Sequence, residues 1–143
     1  MLITTVAIAS AGTSSTEHWT ASSTTAMSIT GNVIFTPSHM TFSNGKFIVI
    51  RYLGARPIGS PYGTGPARQL VQLYRIASQA PLRLLRGNAL CAKPATFLTF
   101  FHSPDAAIPT MTLVVAGFYT GTQPPLRGNA ATLCAAFTYV LNQ

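Results

Sequence analysis

Asn44-Gly45 stands between two runs of β-branched and aromatic residues, Met40-Thr41-Phe42-Ser43 before it and Lys46-Phe47-Ile48-Val49-Ile50-Arg51-Tyr52-Leu53 after it. An Asn-Gly pair in that setting is the strongest short-range sign of a two-residue β-hairpin, because both residues tolerate the positive φ that such a turn requires. The same grammar recurs along the chain. Met27-Ser28-Ile29-Thr30 alternates, Gly31-Asn32 interrupts it, and Val33-Ile34-Phe35 resumes before Pro37-Ser38. Residues 95–101, 111–119 and 133–140 read as further strands, with His102-Ser103-Pro104-Asp105 as the turn that closes the first of them. Residues 69–76 carry Leu70, Leu73 and Ile76 at spacings that also fit a short helix. Pro66 and Pro81 confine the segment to a length more usual for a strand. Seven or eight short strands without a long amphipathic helix predict an all-β domain, an antiparallel barrel or sandwich. Closure is favoured because it removes the exposed edges that apolar strands tolerate badly.

The ends divide the chain into a leader, 1–25, and a β domain, 26–143. The apolar run Met1 to Ala11 ends in an Ala-x-Ala pattern before Gly12, as the back half of a secretory signal does, although a basic segment ahead of it is lacking. The alternative is an apolar first strand. Residues 12–25 are nearly all Gly, Ser, Thr and Ala apart from Glu17, His18 and Trp19, with Trp19 marking where order should begin. No stretch reaches the roughly 18 to 20 uninterrupted apolar residues that cross a bilayer as a helix. Cys91 and Cys134 each follow a leucine and precede an alanine. An even count in an exported chain predicts one disulfide, worth about 3 to 4 kcal/mol on chain-entropy grounds; the alternative is two separate buried thiols. Together these point to a periplasmic or secreted protein.

Chemistry is limited by the ionisable inventory. Against nine Lys and Arg the 143 residues hold only two acids, Glu17 and Asp105, for a formal charge of +7. With 48% apolar and 8% charged residues the chain is not disordered. A catalytic carboxylate pair would need Glu17 and Asp105 in one cleft, and Glu17 falls in the leader. A triad built on His102 and Asp105 lacks a nucleophile elbow. His18, His39 and His102 have no metal-ligand spacing, the cysteines form no CxxC, and Gly59 to Gly65 lacks the ending of a phosphate loop. No enzyme, cofactor or metal is expected.

What remains is a set of arginines and one long loop. Residues 54–66 contain four Gly and three Pro, which excludes helix and central strand and predicts a long surface loop. Arg56 and Arg68 flank it. Leu85-Arg86-Gly87-Asn88 is echoed by Leu126-Arg127-Gly128-Asn129, each just ahead of a cysteine. The echo is either a duplicated anion-facing turn, offering guanidinium and backbone N–H groups, or two ordinary turns feeding one disulfide. Arg outnumbers Lys, and guanidinium suits bidentate contact with carboxylate or phosphate. Arg56, Arg68, Arg86 and Arg127, with Tyr62, are therefore the candidate ligand-binding residues, expected at the mouth of the barrel; the alternative is a dispersed basic surface.

The run from Trp19 to Phe47, with Thr25-Ala26-Met27-Ser28-Ile29-Thr30-Gly31 leading to Phe42-Ser43-Asn44-Gly45, resembles a group of small uncharacterised exported bacterial proteins. Leu73-Tyr74-Arg75-Ile76 followed by Leu85-Arg86-Gly87-Asn88-Ala89-Leu90-Cys91 extends the likeness over most of the chain after the leader. It implies export and a shared fold, and assigns no site residue. The architecture is loosely similar to lipocalin-like or avidin-like barrels, by analogy alone. The expected function is binding of a small or polymeric envelope ligand, anionic or apolar, at the basic loop end. The alternative is a protein-interaction module or protease inhibitor presenting loop 54–66 to an acidic partner. Nucleic acid is disfavoured, since the aromatics sit inside strands.

Overall fold

Strands that bury one face and have no covered edge reach their best hydrogen bonding by closing into a ring. The computed structural model, which describes residues 15–77 and 82–142, shows such a ring. The strands are β1 (Glu17–Ala21), β2 (Val33–Phe35), β3 (His39–Thr41), β4 (Phe47–Pro57), β5 (Leu70–Ile76), β6 (Phe97–Pro104), β7 (Thr112–Tyr119) and β8 (Leu133–Asn142). Each pairs antiparallel with its neighbours in sequence, and β8 returns to β1 through Trp19 opposite Leu141 and Ala21 opposite Tyr139. The fold is a closed up-and-down barrel. The apolar run 1–11, with its signal reading, lies outside the described residues. No helix among the described residues is long and apolar enough to cross a membrane.

The barrel begins earlier than the sequence reading placed it. Glu17–Ala21, assigned to the leader, is a strand, held on one side by β2 and on the other by β8. The segment read as a strand over 27–30 is instead helix α1 (Thr24–Ile29). Its alternation spans only four residues, too short to separate two periods. The deciding signal is Ser23, whose Oγ accepts from the Ala26 N–H and starts the helix. Helix α1 places fully buried Ala26 against the core, and Thr25 Oγ1 donates to the Ala136 carbonyl of β8. His102 and Ser103, expected in a turn, continue β6, and Asp105 opens the turn by accepting from the N–H groups of Ala107 and Ile108.

The Asn-Gly hairpin is present with a different turn. Of its residues only Gly45 has positive φ, at +86°, while Asn44 does not, so a two-residue type I′ turn is excluded. Ser43, Asn44 and Gly45 form a three-residue loop, bounded by Phe42 N–H donating to the Lys46 carbonyl, with glycine in the left-handed position.

The lumen is filled. Trp19 stacks on Phe35 at 5.0 Å between ring centroids and meets Phe100 edge-on at 5.1 Å. Phe35 also meets Tyr74, and Tyr74 stacks on Phe100 at 5.7 Å. Phe118, Phe137 and Tyr139 continue the packing. An eight-stranded barrel is just wide enough for side chains to occupy, and here they do. Burial pushes the Tyr139 phenol well up from its ordinary value, opposed by its 2.8 Å hydrogen bond with Thr30 Oγ1. Over the lumen at the end where β1 begins, Glu17 Oε1 accepts from Trp19 Nε1 at 2.8 Å and meets His102 Nε2 at 3.1 Å.

Cys91 and Cys134 form a disulfide. Cys134 is the extra residue of a bulge, since Phe118 opposes Ala135 while Tyr119 opposes Leu133. The bridge ties the long connection between β5 and β6 to the start of β8.

Candidate functional site

Residues 54–57, expected to open the long loop, instead continue β4 by pairing with β5 on one side only, which tolerates Gly54 and Pro57. The connection that follows does not protrude from a mouth. A second, smaller core lies on the outside of the barrel, where Ile58 packs with Val71, Leu73, Phe97 and Tyr119. Interior and exterior positions alternate along a strand. With Tyr74, Leu98 and Phe118 inside, their neighbours Leu73, Phe97 and Tyr119 face out and need a cover. The loop supplies it, with Ile58, Gly59, Ser60 and Pro61 all buried.

Backbone contacts hold this strap in place. A register shift in β4 between Tyr52 and Gly54, with Gly54 at φ +119°, sets Arg56 opposite Val71 and Pro57 opposite Leu70. Gly59 N–H donates to the Gln69 carbonyl, folding the loop back on itself. Pro61 seats against Gly117 of β7, where an added Cβ would lie 2.9 Å from the proline ring. Residues 120–132, between β7 and β8, cross the strap from the other side. Gly128 N–H donates to the Ile58 carbonyl at 2.9 Å, and the Tyr119 phenol donates to the Gly128 carbonyl at 2.6 Å. Burial raises the Tyr119 phenol above its ordinary value.

Where the two loops meet they leave a hollow of about 610 Å³ lined by Arg56, Pro57, Ile58, Arg68, Leu73, Gln123, Pro124, Pro125 and Leu126. Arg56 and Arg68 are both exposed at its border. Arg56 is aimed by its own backbone, one guanidinium nitrogen donating to the Leu53 carbonyl at 2.9 Å. Neither acid of the chain lines the hollow: Glu17 is engaged with Trp19 and His102, and Asp105 caps its own turn. An apolar floor with two guanidiniums and no carboxylate is chemically suited to a ligand with a hydrocarbon body and an anionic head.

The predicted residues separate into four groups. Arg56 and Arg68 share the hollow. Arg127 borders two adjacent depressions, one of about 600 Å³ inside the 120–132 loop and one of about 210 Å³ between the loops. Tyr62 belongs to the strap rather than to the hollow, its hydroxyl 3.1 Å from Thr138 Oγ1 on β8. Arg86 lies elsewhere, in a single 3-10 turn (Leu85–Gly87) fastened to α1 by Asn88 Nδ2 donating to the Ser28 carbonyl. The arginines are thus set on the outer wall and the connections, not around a barrel mouth.

The echoed Gly-Asn turns do not form matching anion nests. Gly87 N–H donates to the Leu84 carbonyl and Gly128 N–H to that of Ile58, so neither glycine N–H is left for a ligand. Each turn instead leads to one half of the disulfide. The apolar lining from Pro124, Pro125 and Leu126 was missed by sequence reasoning. Its only signal is a Pro-Pro-Leu run in a stretch without strand grammar.

Glu17 reaches His102 because it stands in β1, so the acid assigned to the leader is part of the folded barrel. The neighbouring Ser103 does not join that pair, its Oγ donating to the Pro104 carbonyl. Among the described residues no three His, Cys, Asp or Glu side chains are grouped to hold a metal. No family model, curated protein or solved structure matches the chain.

Proposed function

We propose that this barrel is an exported, non-enzymatic binding protein whose outer-wall hollow takes a partly apolar envelope ligand with a carboxylate or phosphate head. The convergence of Arg56 and Arg68 on one apolar hollow carries the reading. The hollow falls within the usual range for small-molecule sites, roughly 300 to 1,000 Å³. The position of Arg56 and Arg68 moves the expected ligand from the mouth of the barrel to its outer wall. A disulfide accords with an oxidising compartment such as the periplasm or the exterior. Two acids, both engaged in other contacts, leave little for acid–base catalysis.

Calorimetric titration with dodecanoate, and with its neutral amide as control, tests the proposal. Dodecanoate should bind at one site, and Arg56→Ala or Arg68→Ala should each weaken it about tenfold, the usual effect of losing one charge-assisted hydrogen bond. Equal binding of acid and amide, or full affinity in both variants, would overturn the site. A second reading, a protein-interaction module or protease inhibitor, draws on the exposed tip 62–65 set on a buried base, with Gly63 N–H donating to the Ser60 carbonyl. Under that reading Tyr62→Ala would weaken an acidic protein partner and leave the dodecanoate titration unchanged.

A further inference from the structure

The outer wall of β2 to β4 carries an apolar strip that no part of the strap covers. Ile34 opposes Thr41, Thr41 opposes Phe47, and His39 opposes Val49. Their neighbours Phe35, Met40, Ile48 and Ile50 point into the core, so this second set faces out. Ile34 is 42% exposed, Phe47 50% and Val49 38%. Cations border the strip. Lys46 precedes Phe47, Arg51 follows Val49 on the same face, and Arg51 stands opposite Arg75, both exposed. Neither acid lies here: Glu17 is bound to His102, and Asp105 sits in the turn after β6.

We propose that this wall docks on the surface of an anionic lipid bilayer. Exposed aromatic and aliphatic side chains flanked by Lys and Arg match an interface where hydrocarbon lies just beneath phosphate. Charge argues against a second copy of the chain as the occupant. In a two-fold dimer the patch would face itself, setting Lys46, Arg51 and Arg75 against their own images with no carboxylate between. Shape argues against an acidic protein. The side chains stand on a convex wall, which a deformable bilayer accommodates and a protein must match with a built concavity. The site shares strand β4 with the hollow and no side chain with it, so it stands or falls separately.

Flotation of the full chain with vesicles tests it, comparing mixed phosphatidylglycerol–phosphatidylcholine vesicles with pure phosphatidylcholine. The protein should float with the anionic vesicles and stay behind with the neutral ones, and raised salt should reduce the bound fraction. Phe47→Ser with Val49→Ser should lower the partition about tenfold by removing buried apolar area. Arg51→Gln should lower it about fivefold, the effect of one cation near an anionic surface. Arg56→Gln with Arg68→Gln, at the hollow, should leave a clear anionic preference. Circular dichroism of each variant distinguishes loss of docking from loss of fold. Equal flotation on both vesicle types, no flotation at all, or wild-type flotation by a folded Phe47→Ser/Val49→Ser protein would overturn the proposal. So would a concentration-dependent dimer that the same double substitution abolishes.

Discussion

Gly128 is required by packing. A Cβ built there would lie 2.1 Å from the Ser60 carbonyl oxygen and 2.5 Å from that of Gly59. Both are backbone atoms of the strap, which cannot swing aside as a side chain could. Gly128→Ala should therefore lift the strap, destabilise the fold by about 2 to 4 kcal/mol, and weaken dodecanoate through loss of the hollow's wall. Gly65 is the control: its φ is +72° with open space around it. Gly65→Ala should cost only the left-handed conformation, about 1 kcal/mol. Urea titration of both variants checks the contrast, and equal losses would show that the crossing of the two loops does not bear on stability. Sequence could not distinguish these two glycines. The positive φ of Gly65 fits the turn chemistry of its neighbours, whereas the need at Gly128 comes from a loop 68 positions earlier in the chain.

At the scale of elements, legibility followed range. β5 through β8 and the first part of β4 could be read from their own residues because each carries a sustained β pattern, whereas residues 54–57 read as loop from their Gly and Pro and are strand only through pairing with β5. β1 could not, since Glu-His-Trp-Thr-Ala acquires strand geometry only from β2 and β8 on either side. The strap was legible as a loop from its Gly and Pro content, but not as a cover. Its docking depends on outward-facing Leu73, Phe97 and Tyr119 brought together by three separate strands. Arg56 and Arg68 were found as charges flanking that loop; their convergence with Pro124 and Leu126 is a tertiary result. The disulfide belongs to this scale as well, joining the β5–β6 connection to the β8 bulge across 43 positions. Replacing Cys91 and Cys134 with serine should lower unfolding free energy by about 3 to 4 kcal/mol. The barrel's circular dichroism should persist at low temperature. A variant as stable as the native protein in urea would show that the bridge constrains little of the unfolded chain.

For the molecule as a whole, the buried phenols should weaken the fold at alkaline pH. Tyr119 and Tyr139 are both raised by burial, so in the folded state they keep their protons above the ordinary tyrosine value of about 10. In the unfolded chain they release them near that value. The stabilisation is therefore fully present below about pH 10 and is lost as pH rises beyond it. Urea midpoints should fall steeply in that range. Tyr139→Phe should flatten the fall while costing about 1 kcal/mol at neutral pH, through loss of the Thr30 hydrogen bond. An unchanged alkaline slope in that variant would assign the weakening to other groups.

A ring of strands is as closed as its shortest seam, and here the seam is between β2 and β3. Each is three residues long, and they meet through two opposed pairs, Ile34 with Thr41 and Phe35 with Met40. Transient parting there would turn the barrel into an eight-stranded ribbon with two raw edges, while the disulfide, fixed to β8, would hold nothing at the breach. Amide hydrogens of residues 33–41 should exchange fastest among the strands. The side chains that would rest on a bilayer stand on both sides of that seam, so a bound membrane would act as its clasp.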